Sequence, residues 1–165
     1  MKTTNWLVKI GGSEFKVCRM NDAPLTPQPK CDNAQTVGSW LREQLATAVM
    51  FRPDVENLIV VSLSVRCWPI GFEIIANGTL DTILCHPREV FKSAIVTNAH
   101  SIILAHNHPS GDPAPSEADI NVTRNMVRAG ELMKIEVRDH IILGDKAVHP
   151  TGWCSLREMG YFYNA

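Results

Sequence analysis

Two histidines and an aspartate set the chemistry of this chain. They fall in the run Ala105-His106-Asn107-His108-Pro109-Ser110-Gly111-Asp112-Pro113-Ala114-Pro115-Ser116-Glu117-Ala118-Asp119. His106 and His108 are two apart and follow the apolar run Ile102 to Ala105, so on a strand they project from one face. Seven residues separate His108 from Ser116, and Ser116 opens a helix-like pattern with Asp119 in its first turn. A loop of that length can fold the turn back over the histidines. Two imidazoles and a carboxylate make a three-ligand set suited to Zn2+, and three protein ligands leave a fourth position for water, as in catalytic zinc sites. Such a site also needs a base and a partner for an oxyanion. Ser116 is close enough along the helix to meet a developing negative charge. Glu56, just before the apolar segment 58–65, is the best-placed base, with Asp54 as its neighbour and rival.

Each of these features has a plainer reading. A His-x-His pair on its own is commonly a hydrogen-bonded surface pair, and Ser116-x-x-Asp119 resembles a helix capping box. Capping and ligation are compatible, since a capped turn orients the carboxylate. His86 reads as a local cap or pairing residue. His100, His140 and His149 read as polar core or surface residues, Asp139-His140 as a possible support behind the ligands, and Asp112 as a turn residue.

The positioning elements follow from periodicity. Val37, Leu41, Leu45 and Val49 recur every four residues and predict a helix over 37–50. Strands are predicted over 58–65 and 71–76, the latter closed by Asn77-Gly78. His86-Pro87-Arg88-Glu89 begins a helix reaching about Ala99, because proline suits the first turn and Glu89 complements the dipole. A buried strand at 101–105, a long helix from Ser116 to about Met133 and a strand at 139–143 complete the pattern. Residues 1–35 read as a separate arm: a hairpin of Trp6 to Ile10 and Phe15 to Cys18, then a connector spaced by Pro24, Pro27 and Pro29. Residues 36–165 form the domain proper, an α/β or α+β sandwich.

Composition narrows the function classes. At 165 residues and 45% hydrophobic, one domain can bury a core without staples. Sixteen Lys and Arg stand against seventeen Asp and Glu, a net charge of −1, which argues against nucleic-acid binding driven by counterion release. The basic positions available to such binding on the helices are Arg88, Lys92, Arg124 and Arg128. Five cysteines (Cys18, Cys31, Cys67, Cys85, Cys154) lack CxxC spacing, so neither a zinc ribbon nor a thioredoxin-type pair is suggested. They read as small packed hydrophobes. Met1 to Ile10 is too polar for a secretion signal, and Leu58 to Val65 is too short to span a bilayer. A cytoplasmic location is the expectation, with no membrane association.

The motif resembles the JAMM motif of the JAB/MPN+ metalloproteases. The text around it resembles the RadC branch more closely: Gly78-Thr79, His86-Pro87-Arg88-Glu89-Val90-Phe91, His106-Asn107-His108-Pro109-Ser110-Gly111 and Asp139-His140-Ile141-Ile142 follow in that family's order over residues 50–145. The resemblance implies a JAB/MPN-like, cytidine deaminase-like three-layer sandwich, a curved mixed sheet between helices. It places His106, His108 and Asp119 on zinc, Glu56 as catalytic base and Ser116 at the oxyanion, in a peptidase or isopeptidase acting on a protein or peptide, such as a ubiquitin-like tail. Two departures, Ser64 and Cys67, fall at a strand end and turn. The family's helix-hairpin-helix segment has no counterpart in residues 1–48, so DNA binding is not carried over. Two rival readings stay open: a nucleic-acid-associated repair or recombination module with a nuclease role, and a non-catalytic, metal-stabilised interaction module.

Overall fold

Strands whose two faces are both covered need no alternation of polar and apolar residues, and two segments of this chain meet that condition. Asn57–Leu63 and Ser101–Asn107 are buried at every position. In the computed structural model, which describes residues 6–10, 13–17, 28–78 and 86–162, these become the inner strands of a five-stranded mixed sheet.

In chain order the elements are β1 (Trp6–Ile10), β2 (Ser13–Val17), α1 (Ala34–Leu45), β3 (Asn57–Leu63), β4 (Pro69–Asn77), α2 (Pro87–Val96), β5 (Ser101–Asn107), α3 (Glu117–Met133), β6 (Glu136–Leu143) and β7 (Trp153–Ser155). β1 and β2 form the expected hairpin, though its second strand starts two residues earlier than predicted. Cys18 and most of the proline-spaced connector lie outside the described residues, as do Thr79 and Cys85.

The sheet runs β4-β3-β5-β6-β7. β3 is antiparallel to both β4 and β5, β5 and β6 are parallel, and β7 returns antiparallel to β6. The parallel pair is joined through α3. α1 covers one face, packing Val37, Trp40, Leu41 and Leu45 on Ile59, Val61, Ile103 and Ile141. α2 and α3 cover the other, packing Val90, Phe91, Ala94 and Met126 on Val60, Ile102, Leu104 and Val137. The result is the three-layer α+β sandwich expected.

The differences from the predicted boundaries have local causes. α1 begins early because Asn33 accepts from the Thr36 amide at 2.9 Å and caps it. It stops at Leu45 rather than 50. Val49 and Met50 are 97% and 70% exposed, so the four-residue stripe leaves the core before its last member. α2 ends at Val96, where Asn98 takes a left-handed φ of 52° and the Ala99 amide bonds back to Ala94. β5 extends two residues past the predicted strand and carries His106 within it. β7, three residues long, was not predicted.

The loop between β5 and α3 is seated on the turn after β6. Gly111, at φ +83°, gives its carbonyl to the Asp145 amide at 2.7 Å. The Cys154 thiol donates to the Pro113 carbonyl, a role beyond simple packing. Gly144 lies so close beneath that a Cβ there would collide with the Gly111 carbonyl and the Pro113 ring. Gly144→Ala is therefore expected to cost about 1–3 kcal/mol by overpacking and to lift the loop that spaces His108 from Asp119. Urea denaturation reads the first effect. The second appears as amide hydrogen exchange quickened in the 110–112 segment well beyond what the stability change explains.

Candidate metal centre

The register of the sheet decides which side chains share a face. Leu58 pairs with His106 at the end of the antiparallel β3–β5 ladder, and continuing that register by two residues brings Glu56 to the end of the sheet that carries His108. Leu58 and His106 lie on the α2/α3 side, as does His140 of β6, paired with Leu104. Asp139, one residue earlier, points to the α1 side. There it accepts from Ser155 Oγ and the Arg157 amide, and burial pushes its carboxyl up to about 6. The Asp139-His140 pair is thus divided by the sheet, and only His140 reaches the site.

α3 delivers the remaining groups. Ser116 and Asp119 form a full capping box: Ser116 Oγ accepts from the Asp119 amide at 3.2 Å, and Asp119 Oδ2 accepts from the Ser116 amide at 2.8 Å. The Ser116 hydroxyl proton goes to the same Oδ2 at 2.7 Å. The carboxylate therefore divides its work. Oδ2 serves the cap, whereas Oδ1, buried and without a hydrogen-bond partner, faces His106 Nε2 at 3.2 Å.

His106 Nε2 and His108 Nε2 are 3.0 Å apart, and His108 Nε2 is 3.6 Å from Asp119 Oδ2. Among the described residues, His106, His108 and Asp119 are the group whose three ligand atoms all lie within 4.8 Å of one another. Proton positions follow from fixed acceptors. The Asp112 carbonyl, 2.8 Å from His108 Nδ1, can only accept, so His108 carries its proton on Nδ1 and leaves Nε2 bare. The Asp119 carbonyl, 2.6 Å from Thr123 Oγ1, takes the single hydroxyl proton. Thr123 Oγ1 must then accept from His140 Nδ1 at 2.6 Å, and His140 Nε2 accepts from His106 Nδ1 at 2.8 Å. His106 Nε2 is left as a lone pair. Two imidazole lone pairs and an unpartnered carboxylate oxygen converge in a buried space, a donor set that fits a divalent cation.

The electrostatics agree. Burial holds His140 well below the ordinary imidazole value and depresses His106 too. The Asp119 carboxylate beside it raises half-buried His108. For Asp119, burial opposes ionisation, but the neighbouring His106 and His108 rings and the hydrogen bond from Ser116 outweigh it and hold the carboxyl well below the usual carboxylate range. The field of the Glu56 carboxylate reaches both ligand histidines. Beside His108 opens a cleft of about 570 Å³, lined by Arg42, Leu45, Phe51, Pro109 and Leu143 among others.

The structure thus brings together His106, His108, Asp119 and Ser116, with Glu56 alongside. The support expected of the Asp139-His140 pair falls to His140 alone; Thr123 was not singled out as an orienting group, although it stands one helical turn after Asp119. Of the basic positions, Arg88 pairs with Glu89 and Lys92 with Glu73 on the surface. No helix of the described residues is long and apolar enough to cross a membrane.

With fold and geometry in place, comparison with known proteins is direct. The model of the RadC-like JAB domain matches residues 31–161, and the chain belongs to that family. It is similar to the UPF0758 protein of Symbiobacterium thermophilum, 42% identical over 142 residues, which are 86% of this chain and 56% of that protein. The UPF0758 protein of Caldanaerobacter subterraneus is 50% identical over 107 residues, 65% of this chain and 44% of the relative. That of Moorella thermoacetica is 53% identical over 92 residues, 56% and 40% of the two chains. The chain spans about half the length of the relatives it matches.

Metal affinity should carry the signature of His108. Its pKa is raised above the ordinary 6.5, so protons compete with a cation at Nε2 beyond that value, and affinity rises with pH until the imidazole has lost its proton. Competition titrations with zinc from about pH 6 to 8.5 should show this rise, with a proton released on binding. A flat affinity across that range would rule out His108 as a ligand.

Proposed function

We propose that this protein is a zinc-dependent hydrolase of peptide or isopeptide bonds. The observation that carries the reading is the convergence of two imidazole lone pairs and the unpartnered Asp119 Oδ1 beside Glu56. His106, His108 and Asp119 would hold the ion. When bound, zinc supplies Lewis acidity that brings the pKa of a water down toward about 7 and polarises a scissile carbonyl.

The chain's own groups perform the rest. Glu56 takes the proton of the attacking water and returns it to the departing amine nitrogen, the two halves of general acid–base catalysis. The Thr123–His140–His106 chain keeps the His106 lone pair directed outward through this cycle. Ser116 begins with its hydroxyl on Asp119, and supporting the oxyanion requires that hydroxyl to turn toward the substrate oxygen. The cleft beside His108, apolar along Leu45, Phe51 and Leu143, offers room for the residues flanking the scissile bond. An extended tail, as of a ubiquitin-like protein, is the substrate shape that suits it.

Glu56→Gln separates binding from chemistry. The variant should keep zinc at the parent's affinity and lose about 10²–10⁴-fold in turnover, the usual share of a general base. Zinc content by elemental analysis, together with a screen of fluorogenic peptide and isopeptide substrates run with and without chelator, reads both. A Glu56→Gln protein that cleaves as fast as the parent would remove Glu56 from the mechanism.

A further inference from the structure

Glu56 and the two histidine ligands come from segments fifty residues apart, and a base works only if its distance from the reacting water is held. The geometry points to Asn107, between the two histidines, as the positioning residue that sets Glu56 against the metal ligands; this rests on the hydrolase reading above.

His106 and His108 face α3, so Asn107 faces the opposite side of the sheet, where it is nearly buried. Its amide grips the chain on both sides of Glu56. Oδ1 accepts from the Asn57 main-chain amide at 2.9 Å, and Nδ2 donates to the Val55 carbonyl, also at 2.9 Å. Fully buried Asn57 completes the clamp. Its Nδ2 lies 2.8 Å from Asn107 Oδ1, 2.7 Å from the Arg52 carbonyl and 2.8 Å from the Val55 carbonyl, while its Oδ1 accepts from the Arg52 amide at 3.2 Å. The Glu56 carbonyl itself accepts from the Gly78 amide at 2.9 Å. The peptide units before and after Glu56 are both tied to the residue that separates the ligands. Any shift of β5 that moves the histidines therefore moves the base with them.

A carboxamide suits this place because it presents one acceptor and one donor on a short, stiff stem. Aspartate keeps the size and the acceptor, and sets an oxygen against the Val55 carbonyl in place of the donor. Loss of one partner leaves buried polar groups unpaired, which loosens the segment.

The test uses the full chain with Asn107→Ala and the isosteric Asn107→Asp, the latter guarding against simple misfolding. In metal-free protein, amide hydrogen exchange over 52–57 should quicken about tenfold or more in both variants, with the Ile102 to Leu104 amides unchanged. Cobalt(II) affinity, read from its absorption bands, should stay within about threefold of the parent. On any fluorogenic peptide the parent cleaves, kcat should fall about 10–100-fold at constant KM, the usual consequence of removing a supporting hydrogen bond. That fall should vanish in a Glu56→Gln background, because a strut has nothing left to position. Unchanged exchange, a collapse of cobalt affinity, a rise in KM at constant kcat, or losses that multiply with Glu56→Gln would each overturn the assignment. If the parent cleaves no peptide, the hydrolase reading fails, and exchange and cobalt binding decide the role of Asn107 alone.

Discussion

A chain of three hydrogen bonds leaves the main-chain carbonyl of Asp119, passes through Thr123 and His140, and ends on His106, whose free nitrogen faces the carboxylate of the same Asp119. The circuit begins and ends on one residue. Because a carbonyl cannot donate, it fixes the direction of every proton along the way, and no neutral tautomer of His106 other than the metal-ready one is compatible with it. Burial enforces the arrangement. His106 and His140 are fully enclosed, so a second proton on either would be a charge in a low-dielectric interior. Three lone pairs converging in a buried space repel one another, and the donor set fits a cation between them.

The same economy appears at the start of α3. A carboxylate at 1% exposure is expensive to keep ionised. Three features sustain Asp119: the positive end of a long helix, the Ser116 amide and the Ser116 hydroxyl. All of the capping falls on Oδ2, which leaves Oδ1 to face the histidines. Helix capping and a free oxygen aimed at the histidines are therefore compatible in one carboxylate rather than competing explanations of the Ser-x-x-Asp spacing.

How legible the protein was from its sequence follows from the range of each interaction. The long helices, the inner strands and the His-x-His pair rest on spacings of two to four residues, and those periods survive folding. α1 ran short because the stripe ending in Val49 carries no information about where the chain must turn toward Phe51. β7 escaped because three residues have no period. The Asp139-His140 pair was left undivided for a subtler reason: without the start of β6 at Glu136 and the irregularity where Ile102 and Ile103 pair with it, no register says which of the two faces the histidines. The Asn57–Asn107 clamp joins residues fifty apart, and nothing local in either segment announces the other.

Topology explains how an acidic residue that precedes a strand reaches histidines that end one. A neighbour parallel to β5 would start at the end of the sheet opposite to His108. Only an antiparallel neighbour brings its own beginning to that place, and β3 is that neighbour, so the residue just before it arrives beside the last residues of β5. Asp119 needs the reverse solution. The chain leaves β5 at the site and must cross back to run β6 parallel, which puts the start of the crossover helix, with its favourable field for an anion, directly over the histidines. One antiparallel pairing and one helical crossover thus suffice to gather Glu56, His106, His108 and Asp119. The proline-stiffened loop seated on Gly144 sets the remaining distance between them.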